Sequence, residues 1–179
     1  GDLVSSNGTT IWDASANAPF HDKVIGIVRD DLSSLYQKQS TTPDDSVQVF
    51  LTSSLAANNA SNSGGFTSNG AYVIVGSDVS IMWGTVATQA DTPTGIRSRI
   101  DRELKVVHGN LGTDEFSIRM VLKNALTSAD LVNLRLLVDT TGTGNFSNAK
   151  ILGNASVTFS LGSIIISGIS ASDVPSGAV

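Results

Sequence analysis

The residues able to do chemistry are few and widely spaced. His21 and His108 are the two histidines, and neither stands in an HxH or HxxxH pattern that would hold zinc. Serines are abundant, but no GxSxG elbow presents one as a nucleophile. Gly142-Thr143-Gly144 is a GxG without the strand-to-helix setting that a phosphate loop needs. The sixteen acids include no patterned carboxylate pair for glycoside hydrolysis. The best metal candidate is the run from Asp139 to Asn145, where Asp139, Thr141 and Asn145 place oxygen atoms at alternate positions, as calcium loops do. Only Asp139 among them is charged, so calcium would bind weakly, and a glycine-rich hairpin without an ion is the competing reading. No catalysis and no cofactor are expected, calcium apart.

The elements that would carry these residues are almost all strands. Val47, Val49 and Leu51 alternate with Gln48, Phe50 and Thr52, and the same period of two runs through Phe116–Leu122, Leu134–Val138 and Val157–Leu161. Tyr72–Val75 and Val79–Trp83 read as two strands joined by a turn at Gly76-Ser77-Asp78. Lys23–Arg29 is apolar in both phases, the signature of a strand covered on both faces. Gly26 at its centre suggests a bulge or a close neighbour, with the Trp12 indole as the candidate. Single helical turns fit only Ala18–His21 and the stretch after Thr127. About ten strands without intervening helices predict an all-β chain, an antiparallel β-sandwich of the immunoglobulin-like or jelly-roll-like kind, with residues 1–179 forming one domain. Ser53–Asn69 and Ala87–Gly95 read as long surface loops.

Composition narrows the setting. A formal charge of −5 argues against a phosphate-binding face and hence against nucleic acid. The absence of cysteine excludes disulfides and zinc–thiolate sites. No apolar run approaches the roughly 20 residues of a membrane helix, so no membrane insertion is expected. The chain starts on Gly without a visible leader, and so reads as a mature, processed or excised piece. Segments 1–8 and 167–179 carry little to order themselves. The expectation is that a neighbouring subunit or domain holds them, by strand addition for instance.

One stretch departs from simple alternation. In Arg99–Val106 the side chain of Arg102 falls in phase with Ile100, Leu104 and Val106. A guanidinium in that phase must be paired, and the candidate partners are Asp13, Asp30 and Asp31 in the N-terminal block that also holds Trp12. An anion-binding role, or a bulge that exposes Arg102, are the alternatives. Trp12, Asp13, Asp30, Asp31, Arg99 and Arg102 form the expected structural set.

With these residues in view, the chain resembles a domain of large extracellular proteins of Bacteroidota that are exported by type IX secretion and often carry a lectin-like module. The resemblance rests on Asn7-Gly8-Thr9-Thr10-Ile11-Trp12-Asp13, Asn17, Phe20-His21, Ile25–Asp31, Leu35 and Gln37–Ser40, then Arg99 with Arg102–Val106, then Leu136–Phe146. Leu104 stands where that family has Trp, and the third segment lacks acids that would make it a stronger calcium loop. The resemblance implies a β-sandwich, export and a place at the cell surface, with no catalysis. Asp45-Ser46 and Asp139-Thr140 look like the short O-glycosylation signal used in that phylum, which makes Ser46 and Thr140 candidate modification sites.

Two functional classes follow. The first is a non-catalytic structural or adhesive module, either the subunit of a surface fibre or filament or one repeat of a large adhesin. Its partners would be copies of itself or neighbouring domains. The second is a glycan- or calcium-binding module of a secreted protein. A hydrolase is the remote third.

Overall fold

The computed structural model describes residues 1–80, 91–122, 126–161 and 163–179, and the backbone of Thr85–Ala87. The expected strand Val79–Trp83 and the loop Ala87–Gly95 fall partly outside these residues.

The chain folds as two antiparallel sheets. The first has the order β10 (Leu104–Gly109), β7 (Tyr72–Ser77), β3 (Asp22–Asp30), β4 (Leu35–Gln37). The second has the order β14 (Thr158–Leu161), β15 (Ile164–Ile169), β11 (Phe116–Met120), β6 (Val47–Phe50), β5 (Gln39–Thr41). Three ribbons complete the fold: β1 (Leu3–Val4) with β2 (Thr10–Trp12), β8 (Thr85–Ala87) with β9 (Ser98–Ile100), and β12 (Leu136–Val138) with β13 (Lys150–Leu152). Among the described residues the helical elements are a 3-10 turn at Ala18–Phe20 and α1 at Ser128–Leu131. Asp130 closes α1 by accepting from the Thr127 amide at 2.8 Å and its hydroxyl at 2.7 Å. No helix among the described residues is long and apolar enough to cross a membrane.

The main core lies between the sheets and is built from β-branched and aromatic side chains: Ile27, Val47, Val49, Val73, Val75, Phe116, Ile166 and Ile169 among others. A second core lies on the outer face of the first sheet, where Ile11, Trp12, Phe20, Ile74, Phe146 and Val179 meet. The first sheet is therefore covered on both sides, which is why β3 and β7 are apolar in both phases. At roughly 25 cal/mol per Å2 of apolar surface, covering this second face stabilises the sheet as the main core does.

Several local expectations differ from the fold. Gly76 and Ser77 continue β7 instead of turning, and pair with Lys105 and Leu104. β6 is buried at every position from Val47 to Phe50, including Gln48, whose amide oxygen accepts from Arg119 at 2.9 Å. Gly26 stands opposite Ile74, whose side chain occupies the space of a Cβ there. The glycine that admits Trp12 is Gly76: a Cβ at that position would lie 2.5 Å from the indole and would also strike the Phe20 carbonyl.

The end segments order themselves. β1 pairs with β2, and the Ser6 amide donates to Asp30 at 2.8 Å. Residues 167–169 belong to β15, and the tail beyond it returns across the molecule. There the Gly177 amide donates to the Val106 carbonyl at 2.7 Å, and the Val106 amide donates to Ala178 at 2.9 Å. Val179 then exchanges both backbone bonds with Asp139, at 2.7 and 3.0 Å. The tail thus joins the β10 edge to the β12–β13 ribbon.

Candidate functional site

The two histidines are both engaged. The Trp12 indole Nε1 donates to His21 Nδ1 at 2.9 Å, with the ring planes 23° apart. The His108 ring Nε2 lies 2.9 Å from the Val174 carbonyl oxygen. Among the described residues no group of three or more His, Cys, Asp or Glu side chains is arranged to hold a metal.

The Asp139 loop is built as a self-contained turn. Asp139 is buried, and its Oδ1 accepts from the Thr141 amide at 2.9 Å and hydroxyl at 2.6 Å. Its Oδ2 accepts from the Thr143 and Gly144 amides at 2.8 and 2.9 Å and from the Thr143 hydroxyl at 3.1 Å. A calcium ligand must turn lone pairs toward the ion, whereas here N–H and O–H donors converge on the carboxylate. Asn145 accepts from the Ser147 amide at 3.0 Å. Asp139 and Thr141 are thus brought together, but as acceptor and donor to each other, while Asn145 is bonded to a different part of the loop. Burial alone would raise the Asp139 pKa, but the Thr141 hydroxyl and the Thr141, Thr143 and Gly144 amides outweigh it and lower the pKa to about 2.

The structural set separates into independent clusters. Asp13 binds its own loop, the Ser15 and Ala16 amides both lying at 2.9 Å. Asp30 holds Ser6 and Ser33, and its pKa is lowered chiefly by the Ser6 hydroxyl. Asp31 pairs with Arg29 at 2.9 Å. Arg102 meets none of these three. Its Nε donates to the Ser80 carbonyl at 2.9 Å and its Nη1 to Ser46 Oγ at 3.1 Å. The physical reason is a break: β9 ends at Ile100 and β10 starts at Leu104, so the alternation counted across Asp101–Glu103 does not run through one strand. Arg99 carries the ion pairs of this region. It bonds Glu103 at 2.8 Å and Asp91 at 3.1 Å, and lies 4.8 Å from the centre of the Phe146 ring. Glu103 has a raised pKa, through burial, against which the Arg99 charge pulls downward.

Of the two modification candidates, Thr140 is exposed and Ser46 is not. The Ser46 hydroxyl donates to Asp44 at 2.7 Å and receives Arg102, so the folded chain does not present it to an enzyme.

Two features escaped the sequence reading. The first is how Ser53–Asn69, the expected long and mostly exposed loop, is anchored to the strands. Asn59 donates to the Tyr36 carbonyl at 2.8 Å and accepts from the Lys38 amide at 2.6 Å, at the point where the chain passes from β4 in one sheet to β5 in the other. Asn62 is buried and donates to the Leu51 carbonyl at 3.0 Å. Arg29 and Lys38 lie 5.8 and 5.2 Å from the Tyr36 ring centre. An Asn-rich segment looks like solvated loop because the same amides can bond water or backbone.

The second feature is a cleft of about 320 Å3 at one end of the second sheet, lined by Thr52, Ser53, Gly64, Asp114, Glu115 and Ser167 among others. Thr52 has φ +91°, an unfavourable backbone for a β-branched residue. It is held there by the Ser117 hydroxyl on its carbonyl and by its own hydroxyl, which donates to Ser54 at 2.8 Å. Asp114 is partly spent, taking the Thr67 amide at 2.7 Å. The lining includes no basic side chain. It can offer acceptors and hydroxyls, but it pairs no nucleophile with a base.

No curated protein and no solved structure shows significant similarity to the chain. A family model matches residues 1–173, and the chain belongs to that family, described as Domain of unknown function (DUF8202).

Proposed function

We propose that this chain is a non-catalytic structural or adhesive module of an extracellular, cell-surface protein, acting as one bead of a longer polypeptide. The observation that carries this reading is the treatment of the sheet edges. The β10 edge is bonded by the chain's own tail. The outer carbonyl of β4 at Tyr36 is taken by Asn59, and that of β5 at Gln39 by the Gln37 side chain. Helix α1 lies alongside β14. Sheets whose edges are occupied in this way resist joining their neighbours edge to edge, which suits a bead better than a filament subunit. Both histidines have structural partners, which supports a role without catalysis.

Light scattering backed by negative-stain microscopy tests the reading. A monomer of 18.5 kDa across a wide concentration range is the expected result. Oligomers or fibres would overturn the bead and favour a filament subunit. The second reading, a binding module, is favoured by the cleft beside Thr52. It predicts a melting temperature that rises with a sugar or cation and no longer does so in Glu115→Gln.

A further inference from the structure

The Trp12–His21 contact makes a demand on protonation that the fold itself does not relax. An indole N–H can only donate, so His21 Nδ1 must offer a lone pair. Trp12 is fully buried in the second core, and the Trp12 ring also fills the space above Gly76. Its one polar atom therefore depends on this acceptor. His21 itself is exposed and follows directly on the 3-10 turn Ala18–Phe20, so solvent protons reach it without any opening of the core.

We infer that the Trp12–His21 bond is an acid-sensitive latch between the N-terminal ribbon and the start of β3. When the imidazole takes a second proton, Nδ1 becomes a donor and faces the indole N–H donor. The bond is lost, and the exposed ring swings toward water. The burial of Trp12 and the Ser6–Asp30 contact still tie the ribbon to the sheet, so the corner loosens locally while the sandwich stays folded.

The charged groups on the surrounding elements do not offset this loss. Asp13, after β2, is spent on Ser15 and Ala16. At the start of β3, Lys23 donates to Asp44 at 2.8 Å and stands 3.9 Å from Asp22. On the β10 side Glu103 is paired with Arg99, while Lys105 lies 5.5 Å from the Phe20 ring centre and donates to the Gly142 carbonyl. Asp139 is bonded within its own loop. Among the described residues no carboxylate forms an ion pair with His21, so its protonated form gains no partner in the closed corner. The inference is independent of the proposed module function.

The test is nuclear magnetic resonance of the indole proton of Trp12 and the ring nitrogens of His21, between about pH 8 and 5 where an ordinary histidine changes charge. Wild type is compared with His21→Gln, which has an acceptor but does not titrate. In wild type at the acid end, the Trp12 indole proton should exchange with solvent on the order of tenfold faster than in His21→Gln, and its resonance should move upfield. At the basic end the ring nitrogens should show Nδ1 without a proton. Three results would overturn the latch: a Trp12 resonance that ignores pH, the same pH response in both proteins, or a proton on Nδ1 at the basic end. The ring-nitrogen measurement decides the matter in wild type alone, should the variant misfold.

Discussion

At the residue scale, the most informative carboxylate is Asp139. Its pKa falls from 3.8 to about 2 on folding because donors converge on it in the native loop. A group with a depressed folded pKa stabilises above its unfolded value and loses that contribution as pH falls toward the folded one. The contribution should be about 2 kcal/mol at neutral pH and should fade between about pH 4 and 2. Asp139→Asn should therefore lower stability by about that amount at pH 7, with much less effect at pH 2.5, in urea titrations at about those two pH values. The same geometry predicts that calcium leaves the melting temperature unchanged through this loop. A calcium-induced rise abolished by Asp139→Asn would show that the loop rearranges around the ion. Asp139, Thr141 and the glycines mark a special turn here from residue types alone. They do not reveal whether oxygen atoms or donors converge, because Thr supplies both.

The two strand glycines make the same point. A Cβ at Gly76 strikes the indole and a backbone carbonyl at 2.5 and 2.2 Å, neither of which can yield, whereas a Cβ at Gly26 strikes the flexible end of Ile74 and stands 3.2 Å from the Val73 carbonyl, a tight contact that a small shift relieves. Gly76→Ala should cost about 3 kcal/mol and disturb the near-ultraviolet signal of Trp12, and Gly26→Ala about 1 kcal/mol. Equal losses for the two substitutions would refute this account of how Trp12 is seated.

At the scale of elements, the β4–β5 crossover depends on a side chain. A chain leaving one sheet for the other cannot satisfy all its backbone groups from strands, and Asn59 supplies one donor and one acceptor at that point. Asn59→Ala should cost about 1–3 kcal/mol and speed amide exchange at Lys38 ahead of the rest of the sheet. Unchanged exchange at Lys38 would mean that water replaces the amide without loss. Alternation made the strands of the main core legible. The double apolar phase of Lys23–Arg29 also marked β3 as covered twice, but not by what: the residues over the first sheet come from β2, the 3-10 turn, Phe146 and Val179, the last two remote in sequence. Arg102 shows the converse error, since a phase counted through Asp101–Glu103 carries no information once the strand is broken there.

At the scale of the molecule, the tail holds the first sheet to the β12–β13 ribbon. Deleting Ser176–Val179 removes the four backbone bonds to Val106 and Asp139, the Ser176–His108 bond and the buried Val179 side chain. The loss should be about 3 kcal/mol or more, seen as a lower denaturation midpoint with no change in association state. A stable variant that merely ceased to oligomerise would return the tail to an assembly role. Composition pointed to a folded, low-charge β-protein without metal–thiolate chemistry. It was silent on the tail, where Pro175, Gly177 and two serines look like a disordered end until Val106 and Asp139 are placed beside them. The pairing of Val106 with Ala178 also sets an order of events during synthesis. Until residues 177–179 have left the ribosome, the β10 edge stays unbonded and the second core lacks Val179. Closure of the first sheet is then a late, long-range step, slow compared with formation of the hairpins. A nascent chain of this kind remains unfinished until translation of the domain is over, and so stays open to chaperones and to translocation in an extended form.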